Sequence, residues 1–157
     1  MRKIINFIAI LVFFVGCASK EVIHEPIKNE ALAYTSKAEI IKDSDRVLVI
    51  ATYLNPISKE KIGEDAERFL LAINPKESDI VQQSIAVNDD KNVTIKEISD
   101  SDELMEFASF KLPWARYYEI STPKKEAKTL KLTFEIYQLG QVALEFVKVS
   151  KSLYWNP

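Results

Sequence analysis

The chain has 157 residues, a formal net charge of −2, three glycines, one cysteine and one histidine. A balance this close to neutral argues against a nucleic-acid binder, which should carry a basic stripe, so no nucleic-acid partner is expected. The lone cysteine, Cys17, and the lone histidine, His24, both lie near the N-terminus, which leaves the rest of the chain without a Ser/His or Cys/His nucleophile and without the usual zinc or copper ligands.

Met1-Arg2-Lys3 give a positive start, Ile4 to Val15 an apolar run, and Gly16-Cys17 a small residue ahead of the cysteine. The run is shorter than the roughly 20 apolar residues a helix needs to cross a bilayer, and it suits the core of a secretory signal peptide. Phe14-Val15-Gly16-Cys17 resembles the lipobox of bacterial lipoproteins, with Phe14 where that family usually carries Leu. The resemblance implies a diacylglycerol on the Cys17 sulfur, cleavage before Cys17 and acylation of the new amine, palmitate being the expected chain type. Two or more acyl chains give stable anchoring, at about 0.8 kcal/mol per buried methylene. Ala18-Ser19, with no Asp behind the cysteine, implies sorting to the outer membrane. The expected organisation is a signal peptide over 1–16, a lipidated cysteine and flexible tether over 17–30, and one domain over 31–157. With a single cysteine the mature chain has no internal disulfide, and a domain of this size needs none.

Beyond the tether, short strands follow one another. Leu32, Tyr34, Ser36, Ala38 and Ile40 share one face by period-2 spacing. Asp43-Ser44-Asp45 is turn chemistry. Arg46 to Leu54 is apolar on both faces and β-branched, the pattern of a central strand, and Asn55-Pro56 ends it. Residues 57–67 are charged and read as a loop. Phe69, Leu71 and Ile73 alternate up to Asn74-Pro75. Ile80 to Asn88 and Val93 to Ile98 flank the turn residues Asn88 to Asn92 and predict a hairpin. Ser99 to Asp102 offer N-caps for one short helix around Leu104 to Ala108. Pro113 opens an aromatic segment, Trp114 to Ile120. Leu130, Leu132, Phe134 and Ile136 alternate with polar residues, turn at Gln138 to Gln141, and return through Val142, Leu144 and Phe146. Seven to eight short strands at intervals of roughly ten residues predict an all-β antiparallel sandwich, with a closed barrel as the alternative.

Tyr53-Leu54-Asn55-Pro56, Leu112 to Tyr118 and Leu130 to Phe146, together with the lipobox, resemble small outer-membrane lipoproteins of Campylobacter- and Helicobacter-type bacteria. That resemblance implies an immunoglobulin-like β-sandwich. It carries no functional residues across, because the family has no established activity to transfer.

The candidate chemistry is sparse. Calcium needs only oxygen ligands, and Asp100, Asp102 and Glu103 are the candidate set, without the spacing of an EF-hand. Trp114, Tyr117 and Trp155 are the candidate binding residues, because aromatics give rigid contact area. Strand parity places Trp114 with Tyr118 in the core and Tyr117 on the exposed face. Arg116 is placed to pair with a carboxylate or stack on an aromatic. No cofactor is expected, and no enzymatic role.

The resulting expectation is an outer-membrane lipoprotein, lipid-anchored and on the periplasmic face. Its domain would contact another envelope protein through a sheet edge or an aromatic patch. A small-ligand carrier, a surface-displayed adhesin or antigen, and structural support of an envelope machine are the alternatives.

Overall fold

The computed structural model describes residues 26–57, 63, 65–108 and 111–149, with side chains from Glu30 onward. Cys17, His24, Tyr154 and Trp155, and with them the signal peptide, the acylation site and most of the tether, lie outside the described residues.

The chain opens with helix α1, Pro26–Ala33. Part of the stretch read as tether is therefore helical, and the first strand starts later than the alternation from Leu32 suggests. Eight residues are too few to show a helical period, and packing holds the segment: Ala31 is fully buried while Leu32 is exposed. The Thr35 hydroxyl donates to the Ala31 carbonyl at 2.7 Å and closes the last turn.

Eight strands follow: β1 Thr35–Lys42, β2 Asp45–Tyr53, β3 Ala66–Asn74, β4 Ile80–Val87, β5 Thr94–Ile98, β6 Arg116–Pro123, β7 Thr129–Ile136 and β8 Gly140–Val147. They form two antiparallel sheets, one of five strands in the order β1-β2-β3-β6-β5 and one of three in the order β4-β7-β8. This is an all-β domain broadly in keeping with immunoglobulin-like sandwiches. As the apolar run Arg46 to Leu54 predicts, β2 is central, paired on both edges.

The sheets share one core. On β3 the alternation places Glu67, Phe69, Leu71 and Ile73 inward, all buried. Leu130, Leu132, Phe134 and Ile136 on β7 face them from the other sheet. A chain of rings crosses the gap, from Tyr53 to Phe69 at 5.3 Å and from Phe69 to Phe146 at 5.2 Å, in the tilted arrangements that aromatic pairs favour.

A second apolar cluster lies on the outer face of the five-stranded sheet. Leu70, Ala72, Ile98 and Tyr117 are covered by Met105, Phe107 and Ala108. These three come from the β5–β6 connection, which contains a 3-10 helix, Glu103–Phe107. Asp102 caps that helix as the sequence suggests, accepting from the Leu104 amide at 3.0 Å.

The expected hairpin between Ile80–Asn88 and Val93–Ile98 is corrected. Its turn exists: Asn88 and Asp89 both take positive φ, and Val87 bridges Asp90, as in a type I′ turn. The chain then leaves β4 and pairs β5 with β6 in the other sheet. The reason lies in the two faces of β5. Ile95 packs on the inter-sheet core and Ile98 on the outer cluster, and only the five-stranded sheet is covered on both sides. A closed barrel is not formed either. β1 lies beside β8, but no ladder among the described residues joins the two sheets.

Candidate functional site

Because the strands alternate in direction, the connections collect at two poles roughly 25 Å apart, the length of an eight-residue strand. At one pole lie the start of β1, the β2–β3 and β6–β7 connections and the end of β8. At the other lie the β1–β2, β3–β4 and β7–β8 connections and the turn leading into β6. With an even number of strands, the described chain enters and leaves the sheets at the same pole.

That first pole is organised around Glu67, 2 % exposed. Its carboxylate accepts from the Tyr53 hydroxyl at 2.6 Å, from the Lys125 amide at 2.9 Å and from the Lys148 ammonium. Burial works to raise the Glu67 carboxyl, but these donors outweigh it and hold it below the ordinary value. Glu67 and Tyr53 are both buried away from solvent. The group is a structural tie between β2, β3 and the segment behind β8.

The opposite pole carries Trp114. It is 76 % exposed and has φ 56°, a left-handed conformation that bulky residues rarely adopt. Its backbone is fixed on both sides. The Lys76 amide donates to the Trp114 carbonyl at 2.9 Å, and the Asn74 side-chain amide donates to the Pro113 carbonyl at 2.8 Å. Arg116 locks the same loop from below. Its Nε donates to the Lys76 carbonyl at 2.8 Å, and its two Nη atoms reach Asp79 Oδ1 at 3.2 and 3.1 Å. The guanidinium also lies 6.0 Å from the Tyr118 ring centroid, within cation–π range. Arg116 thus makes both contacts anticipated for it. At the far end of the loop the Tyr137 amide donates to the Asp79 carbonyl at 2.9 Å, and Tyr137 is 62 % exposed. The loop from Pro75 to Asp79 is therefore bonded through Lys76 to the backbone of exposed Trp114 and through Asp79 to the backbone of exposed Tyr137.

Two hollows flank this loop. One of about 720 Å³ is lined by Lys42, Asp43, Asp45, Arg46 and Glu77 with Tyr137 at its side. The other, of about 470 Å³, lies against Lys76, Glu77, Glu97, Asp100 and Arg116. Both are open and largely charged, unlike the apolar cavity that encloses a drug-sized ligand.

The parity reading of the aromatics is reversed. Trp114, expected in the core, is exposed, because the strand begins at Arg116 and alternation does not extend back into the turn. Tyr117, expected to be exposed, is buried at 4 %, because the β5–β6 connection covers that face of the sheet. Its hydroxyl accepts from the Leu112 amide at 2.8 Å, and burial pushes the phenol above its ordinary value. The candidate calcium ligands do not converge. Asp102 serves as the helix cap, Asp100 lines the smaller hollow and Glu103 is exposed on the 3-10 helix. Among the described residues no three His, Cys, Asp or Glu side chains are grouped to hold a metal.

Tyr137 and the Glu67 tie went unnoticed in the sequence. The signal for Glu67 was present, since it extends the inward alternation of Phe69, Leu71 and Ile73. For Tyr137 no local signal distinguishes it from any turn residue. No family model matches this chain, and no curated protein or solved structure matches it at a significant level.

Proposed function

We propose that this protein is a bacterial lipoprotein, acylated at Cys17 and anchored in the outer membrane. Its immunoglobulin-like β-sandwich serves as a non-enzymatic module for protein–protein contact in the envelope. The observation that carries the contact role is Trp114. A large aromatic held out to solvent on a turn with a fixed backbone has the properties of a binding anchor, since tryptophan is enriched at the energetic centres of interfaces and loses little entropy on contact. The polarity of the domain supports the same reading. The chain enters at the Glu67 pole, so an anchor at Cys17 leaves the Trp114 pole free to point away from the bilayer. The lipid attachment rests on Phe14-Val15-Gly16-Cys17.

The carrier alternative has less support, because the hollows are open and charged while the inter-sheet core is filled by side chains such as Phe69, Phe134 and Leu132.

Two measurements test the proposal. Mass spectrometry of the protein from membranes should show a chain beginning at an acylated Cys17. Crosslinking in intact envelopes should recover a protein partner. An unmodified thiol, or an intact leader, would overturn the anchoring. A purified domain that holds a small molecule and crosslinks to no protein would overturn the contact role.

A further inference from the structure

Resting on that reading, we infer that the Trp114 pole docks a segment of a partner protein rich in lysine and arginine. The argument starts from Trp114 and Tyr137, two exposed aromatic side chains bonded through their backbones to opposite ends of one loop. The loop segment that separates those two backbone bonds, Lys76 to Asp79, is four residues and spans at most about 11 Å between its end Cα atoms.

What surrounds them decides the chemistry of the occupant. Three donors at this pole are already engaged. Arg116 is spent on Asp79 and the Lys76 carbonyl, Arg46 pairs with Glu39, and Lys42 donates to the Gln138 carbonyl at 2.7 Å. The acceptors are free. Asp43, Asp45, Glu77, Glu97 and Asp100 line the two hollows, and none has an ion-pair partner among the described residues. Against these five carboxylates stand three ammonium groups without a carboxylate partner among the described residues, Lys42, Lys76 and Lys111, so carboxylate is in excess. The pole's spare capacity is thus weighted toward carboxylate oxygen and aromatic face. Both select for cations with several N–H donors: carboxylates by charge-assisted hydrogen bonds, and Trp or Tyr rings by cation–π attraction. A neutral glycan would want donors as well as acceptors, and an anionic lipid would be repelled.

The test uses the full-length chain in living cells. A photoreactive benzophenone amino acid replaces Trp114 in one strain, Tyr137 in a second, and Lys128, exposed at the opposite pole, in a third. Adducts are identified by mass spectrometry after irradiation. The expected result is a protein adduct at 114 and 137 whose crosslinked peptide carries several Lys or Arg residues. Its yield should fall about fivefold when Asp43→Asn, Asp45→Asn and Glu77→Gln are combined. Adducts that are glycan or phospholipid, peptides without basic residues, or a yield indifferent to the carboxamide substitutions would overturn the inference. Protein captured at 128 but at neither 114 nor 137 would overturn it while leaving the contact module standing. Protein captured at none of the three positions would overturn both.

Discussion

The Tyr53 hydroxyl donates a 2.6 Å hydrogen bond to Oε2 of Glu67 inside the core, joining the end of β2 to the start of β3. Lys148, just past β8, adds its ammonium to the other carboxylate oxygen and also donates to the Lys125 carbonyl. One buried carboxylate thereby connects both sheets and the β6–β7 connection at the pole where the chain enters and leaves.

Replacing Glu67 with Gln should destabilise the domain by about 3 kcal/mol, the lower end for breaking a buried ion pair, since the Lys148 side chain keeps 21 % exposure. The isosteric amide cannot neutralise the ammonium. Asp65→Asn, two residues earlier and exposed, should change stability by less than about 0.5 kcal/mol. Urea unfolding of the two variants beside the parent measures the difference, and equal midpoints would remove the tie from the account.

The same group sets an acid limit. The folded pKa of Glu67 is depressed, so its contribution is present above the unfolded value, about 4.3, and is lost as the pH falls through the folded value. The thermal midpoint should drop on acidification below about pH 4–5, and drop less steeply in Glu67→Gln. Tyr53 behaves in the opposite sense. Burial foremost, and then Glu67, raise its phenol far above 10, so its contribution is full below about pH 10 and fades above it. Superimposable acid limbs for parent and variant would refute the assignment to Glu67.

Trp114→Gly should raise stability by about 1 kcal/mol, because glycine takes positive φ without the steric cost that a bulky residue carries and the exposed ring gives up little burial. Trp114→Ala keeps the strain and should leave the midpoint nearly unchanged. Differential scanning calorimetry of both variants decides it. A marked loss in Trp114→Gly would mean that the ring is structural.

Arg116→Lys should loosen the Pro75–Asp79 loop although charge is retained. Lysine has no planar fork to hold the Lys76 carbonyl and Asp79 together. Hydrogen exchange at the Lys76 and Tyr137 amides, which bond across the loop ends, should accelerate on the order of tenfold. Amides in the middle of β2 serve as the internal reference and should not change.

Much of the strand content could be read directly. β7 and β8 follow alternations whose inward members are the buried ones, β2 is the central strand its doubly apolar run suggests, β3 keeps Phe69, Leu71 and Ile73 inward, and the turns use Asp43, Asn88, Asp89 and Gln138 at positive φ. Reading failed where a residue's surroundings come from distant chain. Tyr117 looked solvent-facing because nothing nearby announces that Met105 and Phe107 fold back over it. Trp114 looked buried because alternation was carried past the strand's first residue. The turn at Asn88-Asp89 was legible, but a turn does not say which sheet its far arm joins.

What the sequence by itself determined is local. It set the strand periods, the helix cap at Asp102 and the absence of an internal disulfide, because side-chain size, polarity and backbone preference act over a few residues. What only the tertiary structure decided is which groups end up together. The Glu67, Tyr53 and Lys148 tie, the grip of Arg116 on the β3–β4 loop, and the outward display of Trp114 and Tyr137 at one pole all join residues far apart in the chain. Their meeting depends on sheet order and register, which no window of sequence contains.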